Sequence, residues 1–119
     1  MQKIITENIG DKVIVLLQGD VDTCDKRLSR RLLSVRQKHK EGHVWVDCDT
    51  VECIRQLGMC HFINQLLVLR NQQLHVVLVN PNQLMQHALK ACRLDAYFSY
   101  RANLEQAYEG VYSQEISPR

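Results

Sequence analysis

The sequence predicts a single α/β domain built on a mixed β-sheet, and three features carry that expectation. The runs "KVIVLLQG", "HVWVDCD" and "LHVVLVN" are short and rich in β-branched residues, as strands buried inside an open sheet are. Between and after them lie segments whose apolar residues recur at helical spacing. The chain opens on two strand-like runs separated by a turn and only then alternates strand with helix. A hairpin joined to parallel crossover units gives the order β-β-α-β-α-β-α-β-α.

Each element has its own reason. "KIITENI" alternates weakly and reads as a short strand, Gly10-Asp11 as a turn, and "KVIVLLQG" as the second arm of a hairpin. Asp20, Asp22 and Thr23 are candidate N-caps for a helix striped by Leu28, Leu32 and Val35, expected to run to about Lys40 and stop at Gly42. "HVWVDCD" follows as a buried parallel strand. After a loop, a helix is expected from roughly Leu57 to Arg70, with Cys60, Ile63, Leu66, Leu67 and Leu69 nearly encircling it. "LHVVLVN" is the clearest strand. Asn82 is placed to cap the next helix, which carries Leu84, Met85, Ala88 and Leu89 on one stripe up to a break at Asp95-Ala96. "YFSY" reads as a short last strand and Asn103 as the cap of a last helix. Residues 1–110 are expected to form the domain and 111–119 a frayed tail.

Composition narrows the function. The 119 residues are 45% hydrophobic and 24% charged, with a net charge of +2. The basic residues form no stripe with interleaved aromatics, so no nucleic-acid binding is expected. "KRLSRRLLSVRQKHK" reads as the solvated face of an amphipathic helix. The longest apolar run, "INQLLVLR", is too short to cross a bilayer, and "MQKIITENIG" lacks the features of a signal peptide. The five cysteines, Cys24, Cys48, Cys53, Cys60 and Cys92, are odd in number and sit among apolar neighbours. They are read as small hydrophobes of a soluble cytosolic protein.

Several local features together resemble the STAS domain, the small module of sulfate transporters and bacterial anti-sigma factor antagonists. "GDVD" at Gly19–Asp22 resembles the family's element after the hairpin. "HVWVDCDTVECIRQLGMCHFINQLLVLRNQQLHVVLVNPN" resembles its third strand, helix and fourth strand, and "ACRLDAYFSYRANLEQAYE" its closing pattern. The resemblance covers nearly the whole domain in order. It implies a single-domain STAS-like fold with helices mainly on one face of a mixed sheet, and a role in protein–protein interaction without catalysis or cofactor.

Many members of that family carry an Asp-Ser-Ser/Thr-Gly element at the start of the second helix, whose second hydroxyl a partner kinase phosphorylates. Matched position by position, the Asp becomes Arg55, the first Ser becomes Gln56, the acceptor becomes Leu57, and Gly58 stays. Leucine has no oxygen to accept a phosphoryl group, and no serine or threonine occurs from Val51 through Phe98. The expected partner surface is therefore Asp49, Thr50, Glu52, Arg55, Gln56, Leu57 and Gly58. The helix start lacks a Ser, Thr, Asp or Asn cap, and completion by Asp49, Glu52 or a partner is expected. Arg55 is either a solvated cation or the holder of an anion beside the positive helix end. The partner implied is a kinase-like anti-sigma factor or, alternatively, the ATPase of a membrane transport complex; dimerisation stays open.

Sharper chemistries are weaker. "CDTVECIRQLGMCH" gathers three cysteines and a histidine in fourteen residues, but their spacing is not that of a structural zinc site. Cys53 or Cys60 near a helix start could serve a redox or small-molecule sensor in a crevice between them. The histidines His39, His43, His61, His75 and His87 are dispersed, and no nucleophile elbow, P-loop or dinucleotide fingerprint is present. No enzyme activity and no metal are expected. Trp45 is read as core, and the ring-rich segment from Tyr97 to Tyr112 as packing.

Overall fold

The computed structural model describes residues 2–37 and 41–116. Its order is β1 (Lys3–Ile9), β2 (Lys12–Gln18), α1 (Lys26–Gln37), β3 (Glu41–Asp47), α2 (Ile54–Leu57), α3 (Met59–Arg70), β4 (His75–Val79), α4 (Gln83–Ala91), β5 (Ser99–Arg101) and α5 (Leu104–Ile116). The five strands lie side by side in chain order, with β1 antiparallel to β2 and every later pair parallel. Crossovers of one hand that always step in the same direction leave their helices on one face. Accordingly, α1, α3 and α4 share one core with Val13, Val15, Leu17, Val44, Val46, Val76 and Leu78. Among the described residues only α5 packs on the other face, where Ala107 and Val111 meet Ile9, Ile14, Leu16, Trp45, Val77 and Val79.

Being covered on both faces explains why β2, β3 and β4 read as continuous apolar runs instead of alternating. Trp45 is 1% exposed, and its ring meets Tyr108 edge-on at 4.8 Å and 73°. Such a pair stabilises by ~0.5–1.5 kcal/mol beyond its burial. Tyr108 also donates its hydroxyl to Glu7 Oε1 at 2.6 Å, tying α5 to β1.

Several local expectations are corrected. The first helix is preceded by Asp25, not by Asp20, Asp22 or Thr23 as expected; Asp25 Oδ1 accepts from the Arg27 N–H at 2.9 Å. Gly42 does not end that helix. It lies inside β3, where a Cβ would sit 2.7 Å from both Val35 Cγ1 and Leu74 Cδ2, so close packing is what excludes a side chain. The expected helix end at Lys40 lies outside the described residues. Asn82 caps α4 as expected, accepting from the Met85 N–H at 2.8 Å, and Asn103 accepts from the Gln106 N–H at 2.8 Å. The α4 helix ends at Ala91, before the expected break, as the chain turns through Arg93 at φ 59°. The last strand is Ser99–Arg101, two residues later than "YFSY" suggests. The expected boundary after residue 110 falls inside α5, where Val111 is buried. No helix among the described residues is long and apolar enough to cross a membrane.

Candidate partner-docking site

The region matched to the phosphorylation element lies at the end of the sheet where β2, β3 and β4 finish. The chain leaves β2 through Gly19, whose φ of 84° is open to glycine and strained for other residues. The Gly19 N–H donates to Thr50 Oγ1 at 2.8 Å, and that hydroxyl donates to the Asp47 carbonyl at 2.7 Å. Thr50 is therefore half-buried and occupied, a tie between the loops after β2 and β3. Asp47, buried at the strand end, accepts from Gln18 Nε2 at 3.1 Å.

Asp20, one residue on, completes the turn ahead of α2. Its Oδ1 accepts from the backbone N–H of Glu52 at 2.7 Å and of Cys53 at 2.8 Å. Burial pushes its carboxyl up, but the hydrogen bonds from Cys53 and Glu52 outweigh this and hold it below the usual range. Capping by Asp49 or Glu52 was the expectation, and a carboxylate from the neighbouring loop takes that place instead. The rest of that loop is anchored too. Gln2 exchanges two 3.1 Å hydrogen bonds with the Asp22 backbone, and Gln65 Oε1 on α3 accepts from both the N–H and the hydroxyl of Thr23.

The helix start also differs from the expectation. A separate short helix, α2, precedes α3, and Gly58 divides them at φ 88° and ψ 164°. A Cβ on Gly58 would meet nothing within 4 Å, so conformation and not space calls for glycine. Leu57 thus closes one helix and does not open the next. Its N–H donates to the Cys53 carbonyl at 2.7 Å, and that of Gly58 to the Ile54 carbonyl at 3.1 Å. Arg55 lies in the last turn of α2, and the uncapped start of α3 follows after Gly58, so the positive helix end stands at Met59 and not at Leu57.

What this surface presents is side chains. Asp49, Glu52, Arg55, Gln56 and Leu57 are exposed, while Thr50 and Gly58 are half-buried. Leu57 is 60% exposed. Sequence reasoning placed Leu84 on the buried stripe of α4, yet it is 63% exposed, and it too lies near the strand ends, just after β4. Its neighbour Met85 takes the core position, one residue and about 100° further round the helix.

The thiols divide. Cys48 and Cys53 are buried, whereas Cys24, Cys60 and Cys92 are exposed. Cys60 therefore does not turn into the packed side of its helix, and three of the five cysteines are not core hydrophobes. Burial and the Asp47 charge push the Cys48 thiol up to about 12. Burial and the Asp20 charge push that of Cys53 upward as well, opposite to what a reactive thiolate requires. His43 and His75, called dispersed from the sequence, stack on adjacent strands with ring centroids 4.9 Å apart and 25° between planes. Glu41 Oε1 lies 3.6 Å from His43 Nε2 and 3.3 Å from His75 Nε2. Both Nε2 atoms thus face one carboxylate oxygen, and among the described residues no group of three or more His, Cys, Asp or Glu is placed to hold a metal ion. The parallel register His43↔His75 creates this pair, and only strand pairing could have foretold it.

The STAS domain family matches residues 2–107. The crystal structure of TM1081, a candidate anti-sigma factor antagonist from Thermotoga maritima, aligns with a TM-score of 0.52 at 18% identity, covering 92% of this chain and 94% of that one. The NMR structure of the protein TM1081 gives the same TM-score and identity over 90% of this chain and 86% of that one. At this identity the likeness concerns the fold. No curated protein matches the sequence. With the family pattern spanning both sheet faces and the docking region, the chain belongs to the STAS domain family.

Proposed function

We propose that this protein is a non-catalytic interaction module, similar in role to an anti-sigma factor antagonist, that binds its partner without a phosphorylation switch. The observation that carries the reading is Leu57: a hydrocarbon side chain, 60% exposed, at the position matched to the family's phosphoacceptor. The surface around it is Asp49, Thr50, Glu52, Arg55, Gln56, Leu57 and Gly58, and the nearest aliphatic hydroxyl in the sequence, Thr50, is engaged at both ends. The likeness to a candidate anti-sigma factor antagonist supports a kinase-like anti-sigma factor as the partner. In that setting the domain works in the cytoplasm, needs no cofactor, and is controlled by its amount.

Two measurements test this. Incubation with the cognate kinase and ATP, followed by intact-mass spectrometry, is expected to leave residues 50–60 unmodified; an added phosphate there defeats the reading. Leu57→Asp is expected to weaken partner binding at least tenfold, ~1.4 kcal/mol, while the melting temperature stays put because the side chain is exposed. Recovery of a membrane transport ATPase, in place of a kinase-like protein, would move the module to the other branch of the family.

A further inference from the structure

We propose that the free edge of β1 and the arginine-bearing face of α1 form a second docking groove, which takes an extended acidic segment of another protein as a sixth strand. This goes beyond the partner surface at the strand ends and does not depend on it. Strand β1 has seven residues, and among the described residues β2 is its one neighbour in the sheet. The register runs unbroken from Lys3↔Gln18 to Ile9↔Lys12 across a two-residue turn. Such a turn makes its closing pair a hydrogen-bonded one, and bonded pairs then alternate. Lys3, Ile5, Glu7 and Ile9 therefore spend their backbone groups on β2, while Ile4, Thr6 and Asn8 turn theirs outward. An edge of this length is usually blunted by proline, a bulge or inward charges. This one has neither proline nor bulge, and the Glu7 carboxylate is held by Tyr108 on the α5 face.

The α1 face beside the edge is strongly basic. A cavity of ≈ 210 Å³ lies between Ile4 and the side chains of Arg27, Arg30 and Arg31. Arg31 Nη1 donates to Thr6 Oγ1 at 2.7 Å, which sets its charge over the middle of the strand. Arg27 reaches the Gln2 carbonyl at 3.0 Å and pairs with Asp25. Arg30 makes no hydrogen bond or ion pair among the described residues. Since side chains alternate along a strand, a docked segment would place acidic residues against these arginines and apolar ones against Ile5 on the other face.

Charge selects the occupant. A second copy paired through the same edge would bring its own Arg27, Arg30 and Arg31 against these, a like-charge contact. A nucleic acid could meet the charge but not complete a backbone ladder, and the nearby ring, Tyr108, packs on the opposite face of the sheet. An acidic strand satisfies both demands.

The probe is an end-blocked heptapeptide of alternating glutamate and valine, titrated to about 1 mM into the ¹⁵N-labelled protein and followed by amide shifts. Shifts centred on Ile4, Thr6 and Asn8, weakened about tenfold by Arg30→Glu and abolished by N-methylating the peptide's ladder amides, are the expected result. Thr6→Pro, which removes an outward N–H from an edge strand, should also abolish them; if that variant does not fold, Arg30→Glu and the methylated peptide decide alone. Unchanged spectra, equal binding of the N-methylated peptide, or an oligothymidylate that shifts the same amides as strongly would overturn the proposal.

Discussion

Replacing Asp20 by alanine removes the one side chain that closes the turn ahead of α2. Two backbone donors, Glu52 N–H at 2.7 Å and Cys53 N–H at 2.8 Å, lose a charged acceptor. Water can replace the bond at exposed Glu52, while the N–H of buried Cys53 loses its acceptor, so the loss is that of a helix cap with one partly buried donor. That is ~1–2 kcal/mol. With a urea dependence of about 2 kcal/mol per molar, the unfolding midpoint should fall by roughly 0.5–1 M. Asp20→Asn keeps an acceptor and loses the charge, so it should lie between. The pH dependence supplies a sharper check. The folded carboxyl titrates below its ordinary 3.8, so its stabilisation is present above that value and disappears as pH falls through the folded pKa. The gap between wild type and Asp20→Ala should therefore persist at neutral pH and close only as pH falls below the ordinary 3.8. Amide exchange at residues 52 and 53 should also quicken in the variant. Equal midpoints at pH 7, or a gap undiminished in acid, would refute the capping role.

Three further outcomes follow from other contacts. Gly42→Ala forces a methyl to 2.7 Å from Val35 and Leu74, and since Val35 is a stiff β-branched residue on a helix, a loss of ~1–3 kcal/mol is expected in urea unfolding. Tyr108→Phe deletes the bond to Glu7 and should cost ~0.5–1.5 kcal/mol. Burial and Glu7 push the Tyr108 phenol up to about 12, so wild type should lose this stabilisation as pH rises from the ordinary 10 through 12, a slope that the variant lacks. His43 is pushed down by burial, partly opposed by Glu41 and reinforced by the nearby His75 and Lys12. Its stabilisation is present above the ordinary 6.5 and falls away with acid, and thermal melts of His43→Gln between pH 7.5 and 5 should show a flatter profile than wild type.

The sequence made the sheet legible because burial on both faces leaves a plain mark, as in "KVIVLLQ" and "HVVLV". Caps drawn from the next few residues were legible too, as at Asn82 and Asn103. Contacts across the chain were not. Asp20 stands beside a helix that it does not cap and serves a turn 32 and 33 residues away; nothing local distinguishes it from Asp22 or Asp25. Gly42 resembles a helix stop because glycine suits both a left-handed turn and a crowded strand, and only the crowding atoms tell them apart. The resemblance anchors its match at Gly58, whose φ of 88° divides the expected helix and turns Leu57 from a first residue into a last one. Cys60 and Leu84 show the limit of counting apolar residues on a helix, since one position of rotation decides between core and solvent.

The ties around the candidate site also bear on how it could bind. Gly19 to Thr50, Asp20 to Glu52 and Cys53, and Thr23 to Gln65 each join segments more than thirty residues apart. A loop held from both sides loses little freedom when a partner arrives, so more of the contact energy appears as affinity. The same ties occupy the Thr50 hydroxyl and the N–H groups of Gly19, Thr23, Glu52 and Cys53. On the proposed reading, selectivity resides in the exposed side chains, with Leu57 as the apolar centre and Glu52, Arg55 and Gln56 around it. An apolar centre with a charged rim is the arrangement in which removing one central residue outweighs removing several at the edge. On the proposed reading, Leu57→Asp should therefore weaken partner binding more than Arg55→Ala and Gln56→Ala combined, and the reverse order in a binding titration would place the contact elsewhere.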